Sequence, residues 1–137
     1  MISYNYETEF QINQEADLSK WIKAVINSHD CVLNEINYIF MDDQQLHKLN
    51  VDFLNHDNLT DIISFDYSVG NNLQGDIYIS VERVADNAKD FKVSFQEELH
   101  RVLIHGVLHY CGFKDKTDAE AKQMRNKEDE ALALLKL

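Results

Sequence analysis

Two histidines and an aspartate lie close together in the stretch HGVLHYCGFKD, residues 105–115. His105 and His109 are four residues apart, so in a helix their imidazoles project from the same face. Gly112 can end that helix in a left-handed turn that brings Asp115 back toward the histidines. Three protein ligands with room for a water molecule are typical of a catalytic zinc site. The spacing therefore predicts one Zn²⁺ ion bound by His105, His109 and Asp115.

A purely structural interpretation of these residues remains open. The two histidines could be hydrogen-bonded core residues, with Asp115 as the N-cap of the last helix, although Thr117 or Asp118 could also cap it. The residue after His105 helps to decide which class of zinc-dependent reaction the site could support. Zinc peptidases of the HExxH type need a glutamate there as general base, and this chain has Gly106. Peptidase chemistry is therefore disfavoured.

The histidines belong to a predicted helix, residues 94–111, that is apolar around most of its circumference. Four polar residues interrupt the apolar surface and fall in a narrow stripe on one face: Glu98, Arg101, His105 and His109. Burying such groups without partners costs several kcal/mol, so the stripe must be paired, solvated in a cleft or bound to a metal.

Strand and helix patterns alternate along the rest of the chain. Period-two patterns predict strands at residues 2–10, 31–41, 60–67 and 75–81. Helical patterns occupy residues 17–29, the segment after Asp42 or Asp43, and residues 81–91, 94–111 and 117–135. A loop rich in glycine and asparagine separates the last two strands and predicts an antiparallel hairpin. The length suits one domain covering residues 1–137.

Charge is distributed unevenly along the sequence. The formal net charge is -11, and residues 1–82 hold 14 acidic and 3 basic side chains, whereas residues 83–137 hold 10 of each. An anionic partner should therefore bind to the C-terminal half. Five basic residues follow the histidines and suit phosphate contacts, Lys114 and Lys116 foremost, or form a solvated helix face: Lys114, Lys116, Lys122, Arg125 and Lys127.

Cysteine content and hydropathy predict a reduced, cytoplasmic protein with no membrane partner. Cys31 and Cys111 form no recognisable disulfide framework, and Cys111 is expected to be a small buried residue, not a fourth ligand. No secretory leader pattern is present, and the longest apolar runs are far shorter than the roughly 20 residues that span a bilayer.

Three ordered motifs resemble the YbeY family of bacterial metal-dependent endoribonucleases, which act in ribosomal RNA maturation and ribosome quality control. HGVLHYCGFKD resembles the family signature H-G-x-L-H-x-x-G-[YF]-D-H. Residues 49–65, LNVDFLNHDNLTDIISF, resemble L-N-x-x-[YF]-R followed by T-D-V-L-S-F, and residues 75–80 resemble G-D-I-x-I-S. The resemblance implies an α+β fold, with a small mixed sheet of about four strands packed against helices and the HxxxH helix in the core.

The resemblance implies that His105 and His109 are metal ligands, and it places the family's third histidine at Asp115. The arginine of the family motif falls on Leu54, which cannot hold a phosphate. Arg101, one turn before His105, is the candidate to replace it; its alternative role is an ion pair with Glu97 or Glu98. Glu98 is also a possible proton acceptor.

The expected function is hydrolysis of single-stranded RNA by a zinc-activated water, with ribosomal RNA or the small ribosomal subunit as partner. Two other functions remain open. One is a non-catalytic ribosome-assembly factor with a structural metal, which Leu54 and the acidic N-terminal half favour. The other, which Gly106 disfavours, is a zinc hydrolase acting on another class of substrate.

Overall fold

A computed structural model describes residues 1–136 as a single-domain α+β fold. Its elements are β1 (Ile2–Tyr6), α1 (Glu15–Ser28), β2 (Val32–Met41), α2 (Asp43–Leu54), β3 (Ile62–Asp66), β4 (Asn72–Ser80), α3 (Val81–Phe91), α4 (Phe95–Tyr110) and α5 (Asp118–Ala133). The predicted fold class and element order are confirmed. None of these helices has both the length and the apolar character needed to cross a membrane.

The sheet is mixed and has the strand order β1-β2-β4-β3. β1 and β4 run parallel to β2 on either side of it, whereas β3 is antiparallel to β4, as the predicted hairpin requires. The side chains of Ile36, Tyr38 and Phe40 alternate along β2 and are fully buried. This period-two face forms one core with the apolar residues of α1 and α4.

Helix α4 lies very close to the sheet. A Cβ atom at Gly106 would stand 3.0 Å from Ile77 Cδ1 and 3.2 Å from Ile62 Cδ1. The Tyr110 hydroxyl lies 3.0 Å from the carbonyl oxygen of Phe65, next to Gly75, where any Cβ would come within 2.5 Å of that hydroxyl. These contacts fix the rotation of α4, so its opposite face points away from the sheet.

The turn after α4 brings the chain back past the histidines. Gly112 has a φ of 104°, and the Phe113 N–H donates to the Leu108 carbonyl at 3.1 Å. This is the left-handed helix ending predicted from the glycine. Thr117, in a capping box, is the N-cap of α5. The alternative in which Asp115 caps that helix is therefore wrong, because Thr117 already occupies the position.

Candidate metal centre

Three side chains converge where α4 meets the turn that follows it. His105 Nε2 and His109 Nε2 are 3.1 Å apart, and Asp115 Oδ2 lies 3.3 Å from each of them. His105 and His109 are partly buried, whereas Asp115 is exposed. Within residues 1–136, no other group of three histidine, cysteine or acidic side chains has ligand atoms close enough to hold a metal ion. Cys111 is not part of the group, and it is only partly buried, less than the sequence suggested.

The geometry of this triangle fits a zinc ion. Zinc bonds of 2.0–2.2 Å to nitrogen and oxygen place neighbouring ligands of a tetrahedron about 3.3–3.5 Å apart. The three observed separations, 3.1, 3.3 and 3.3 Å, are close to those edges. The three donors are therefore spaced as one face of a tetrahedron would be, which would leave the fourth position around such an ion to a non-protein ligand.

A cavity of about 300 Å³, here called the site cavity, adjoins the triangle. It is lined by Asp61, Ile62, Glu98, Arg101, Val102, His105, Asp115, Arg125 and Glu128. A larger depression of about 640 Å³ at the other end of α4 and α5 contains none of the three donors. The smaller cavity is the better candidate for a reaction site, because it combines two of the three donors, His105 and Asp115, with further ionisable groups.

Arg101 lines the site cavity, but two carboxylates hold its guanidinium. Nη1 donates to Glu128 at 3.0 Å and Nη2 donates to Asp129 at 2.8 Å. The prediction of an ion pair with Glu97 or Glu98 named the wrong partners. Sequence spacing suggested neighbours on the same helix, whereas the structure brings the acids of α5 to Arg101. The guanidinium charge is therefore already offset before any substrate arrives.

Two further carboxyl groups face the site cavity. Glu98 is only 4% exposed, and its side chain makes no hydrogen bond or ion pair with any other residue of the described range 1–136. Burial raises the pKa of Glu98, and the nearby charge of Asp61 raises it further. Burial also raises the pKa of Asp61, although the charge of His105 opposes the shift. Two carboxyl groups of the cavity therefore hold their protons more tightly than usual.

Glu128, like Asp61, is a residue of this site that sequence analysis missed. It is 5% exposed, and its Oε2 lies 2.6 Å from His105 Nδ1. Burial alone would lower the pKa of His105, but the hydrogen bond and charge of Glu128 outweigh burial, so this pKa is raised. A signal was present, since Met124, Glu128 and Ala131 follow helical spacing on the buried face of α5.

The remaining predicted residues lie around the rim of the site. Lys114 and Lys116 are exposed on the turn that carries Asp115. Arg125, whose side chain is 53% exposed, reaches the site cavity, and its nearest carboxylate is Glu128 at 3.8 Å. Leu54 lines a neighbouring depression that shares Ile62 with the site cavity.

Comparisons with known proteins give a consistent result. The family model described as Endoribonuclease YbeY matches residues 3–136. Proteins named Endoribonuclease YbeY from Flavobacterium johnsoniae and Flavobacterium psychrophilum are 64% and 60% identical, and each match covers 98% of this chain and 96% of the relative. The solution structure of TM1509 from Thermotoga maritima superposes with a TM-score of 0.70 at 25% identity, covering 97% of this chain and 90% of that one. The chain therefore belongs to the YbeY family.

Proposed function

We propose that this protein is a metal-dependent endoribonuclease that cuts single-stranded RNA, acting in ribosomal RNA maturation and ribosome quality control in the cytoplasm. The observation that carries the proposal is the triangle of His105 Nε2, His109 Nε2 and Asp115 Oδ2, with its tetrahedral spacing, beside the site cavity. The relatives named as endoribonucleases support RNA as the substrate.

One zinc ion is proposed to bind to His105, His109 and Asp115, where it would polarise a phosphodiester oxygen and make a water molecule more acidic. Glu98 suits the role of proton acceptor or donor. Its carboxyl group faces the same cavity as His105 and is not engaged by the other described residues of the protein. Its raised pKa brings its proton exchange nearer to neutral pH, which favours general acid–base work.

Phosphate contacts are assigned to the cations around the site. Arg101 lines the site cavity, but Glu128 and Asp129 already offset its charge, so it would serve chiefly through its remaining N–H groups. Arg125 is more exposed and less tightly paired, which leaves its guanidinium better able to bind a phosphate. Lys114 and Lys116 extend the cationic rim along the turn.

The decisive experiment is cleavage of single-stranded RNA by the purified protein, loaded with zinc and then stripped with a chelator. We expect cleavage only with metal, and much less cleavage of a duplex of the same sequence. RNA or small-subunit binding without cleavage would instead support a non-catalytic assembly factor, which Leu54 and the acidic first 82 residues favour. Peptide hydrolysis is not expected, because zinc peptidases of the HExxH type have a glutamate base at the position of Gly106. This glycine has no side chain to act as a base, and it packs against Ile77 and Ile62 of the sheet.

Two variants test Asp115 as the third ligand. Asp115→Ala should weaken zinc binding, whereas Asp115→His should preserve it, because imidazole is an equally good zinc donor. Neither change should remove a helix cap, since Thr117 caps α5. Zinc affinity measured by competition with a chromophoric chelator separates the outcomes. Unchanged affinity in Asp115→Ala would show that the carboxylate is not a ligand.

A further inference from the structure

Glu128 binds two different partners with its two carboxylate oxygens. Oε2 lies 2.6 Å from His105 Nδ1, and Oε1 accepts a hydrogen bond from Arg101 Nη1 at 3.0 Å. The side chain is 6% exposed, so solvent competes little with either contact. Glu128 thus connects α5 to the ligand-bearing face of α4.

The contact with Nδ1 determines which nitrogen of His105 is available to a metal. An ionised carboxylate only accepts hydrogen bonds, so a neutral imidazole beside it must carry its proton on Nδ1. Its lone pair is then on Nε2, which is the atom that lies 3.1 Å from His109 Nε2 and 3.3 Å from Asp115 Oδ2. The partner on the far nitrogen therefore selects the tautomer that the triangle of donors requires.

We propose that Glu128 is a positioning residue that holds His105 in the metal-binding tautomer and ring orientation, and that Arg101 holds Glu128 in that pose. The inference rests on the proposed function, because it takes His105 as a metal ligand. It gives Arg101 a role behind the site, where its guanidinium supports a carboxylate that in turn supports a ligand.

The neighbouring acid provides a matched control. Asp129 accepts a hydrogen bond from Arg101 Nη2 at 2.8 Å, as Glu128 does from Nη1, but His105 is not among its contacts. The Asp129 side chain is 57% exposed. Glu128→Ala and Asp129→Ala each remove one carboxylate from Arg101, and only the first removes the partner of His105.

Zinc affinity, measured by chelator competition, is the first test. We expect Glu128→Ala to weaken zinc binding about 10- to 100-fold, the usual loss when a partner of a metal-bound histidine is removed. Glu128→Gln should lie between Glu128→Ala and the wild type, because its amide oxygen can still accept from Nδ1–H. Asp129→Ala should stay within about twofold of the wild type, because its side chain is exposed. Equal losses in the two alanine variants, or none in Glu128→Ala, would overturn the proposal.

The tautomer itself is the second test, and it needs no metal. Nitrogen NMR of the metal-free protein, at a pH where His105 is neutral, should show the Nδ1–H form in the wild type and in Asp129→Ala. Glu128→Gln should show an increased fraction of the Nε2–H form, and an unchanged tautomer there would contradict the proposal even if Glu128→Ala fails to fold.

The two tests separate this proposal from the proposed function. If the wild type binds no zinc, or if His109→Ala binds it undiminished, the metal site is wrong while the tautomer measurement still decides the role of Glu128. If the wild type binds zinc through His109 and the Glu128 variants match it, the positioning role alone fails.

Discussion

The two faces of α4 differ in the polarity of their side chains and in what they contact. The face toward the sheet carries Gly106 and Tyr110, which bring helix and strands into close contact, and its groups are fully paired or apolar. The face toward α5 carries Glu98, Arg101 and His105, which are charged or titratable and largely buried. One helix therefore combines an apolar face that favours folding with a face on which the burial of titratable groups costs free energy.

The difference between the two faces of α4 explains how this fold supports a reactive site. Removing carboxyl groups from water costs free energy, and the raised pKa values of Glu98 and Asp61 are a direct expression of that cost. The apolar core under α4 offsets it and fixes the rotation of the helix. Changes on the sheet face should therefore affect stability, and changes on the cavity face should affect metal and substrate binding.

The largest effect is expected for His109→Ala, on the cavity face. Removing a direct ligand should reduce zinc affinity and metal-dependent RNA cleavage by more than roughly 100-fold. That figure is the upper end of the loss expected when a hydrogen-bond partner of a metal ligand is removed. The metal-free protein should unfold at nearly the wild-type temperature, because the polar contacts of this ring are with His105 and Asp115. Parallel zinc titrations and thermal melts make the comparison. A large loss of stability without metal would mean that the cavity face contributes to folding.

The opposite outcome is expected for Gly75→Ala, beneath the sheet face. The new Cβ would stand 2.5 Å from both the Phe65 carbonyl oxygen and the Tyr110 hydroxyl, so strand or helix must shift. We expect a loss of about 1–3 kcal/mol in the free energy of unfolding, as for an overpacked core. Denaturant unfolding measures it. Zinc affinity of the folded fraction should change little, and a loss as large as that of His109→Ala would show that the two faces are not independent.

The three donors on the cavity face of α4 could be predicted from the sequence, because the spacing that brings them together lies within one short segment. The spacing of His105, His109, Gly112 and Asp115 within one helix and its turn is sufficient to bring the three donors together. The strands and the β3–β4 hairpin were equally accessible, because alternation in β2 and the short loop before β4 are local patterns as well. The parallel pairing of β2 with β1 and β4 joins distant segments, and no local pattern predicted it.

The partners of those residues could not be predicted in the same way. Glu128 is 23 residues from His105, and Asp61 is 44 residues before it; only the docking of α5 and β3 against α4 brings them together. For the same reason, the sequence suggested the wrong ion-pair partners for Arg101. An acid on the buried face of an amphipathic helix, as at Glu128, is a sequence signal that a partner exists, but it does not identify the partner.

A smaller effect is expected for Arg125, a cation at the edge of the site cavity. Arg125→Gln should raise the KM for RNA roughly fivefold, corresponding to about 1 kcal/mol for a partly exposed charge. It should also reduce the slope of log affinity against log salt by about one. Lys122→Gln is the control, because Lys122 is exposed on α5 but does not line the site cavity. Equal effects of both changes would indicate a general electrostatic contribution instead of a contact in the cavity.

The smallest effect concerns the pH dependence of stability in the metal-free protein. Because Glu128 raises the folded-state pKa of His105 above 6.5, the folded protein binds more protons than the unfolded chain just above that pH. This stabilisation is fully present below pH 6.5 and is lost as the pH rises through the raised pKa, so the free energy of unfolding should fall.

His29 and His100, whose pKa values burial lowers, contribute slopes of opposite sign below pH 6.5. These slopes should be the same in Glu128→Gln, so the difference between the two proteins comes from the groups whose pKa Glu128 raises: His105 foremost, and also Asp61 and Glu98. Denaturant unfolding at about pH 6 and about pH 8.5 should show a smaller decline in Glu128→Gln than in the wild type. Equal declines would mean that Glu128 does not stabilise protonated His105, and the electrostatic contrast between the two faces of α4 would be weaker than the structure indicates.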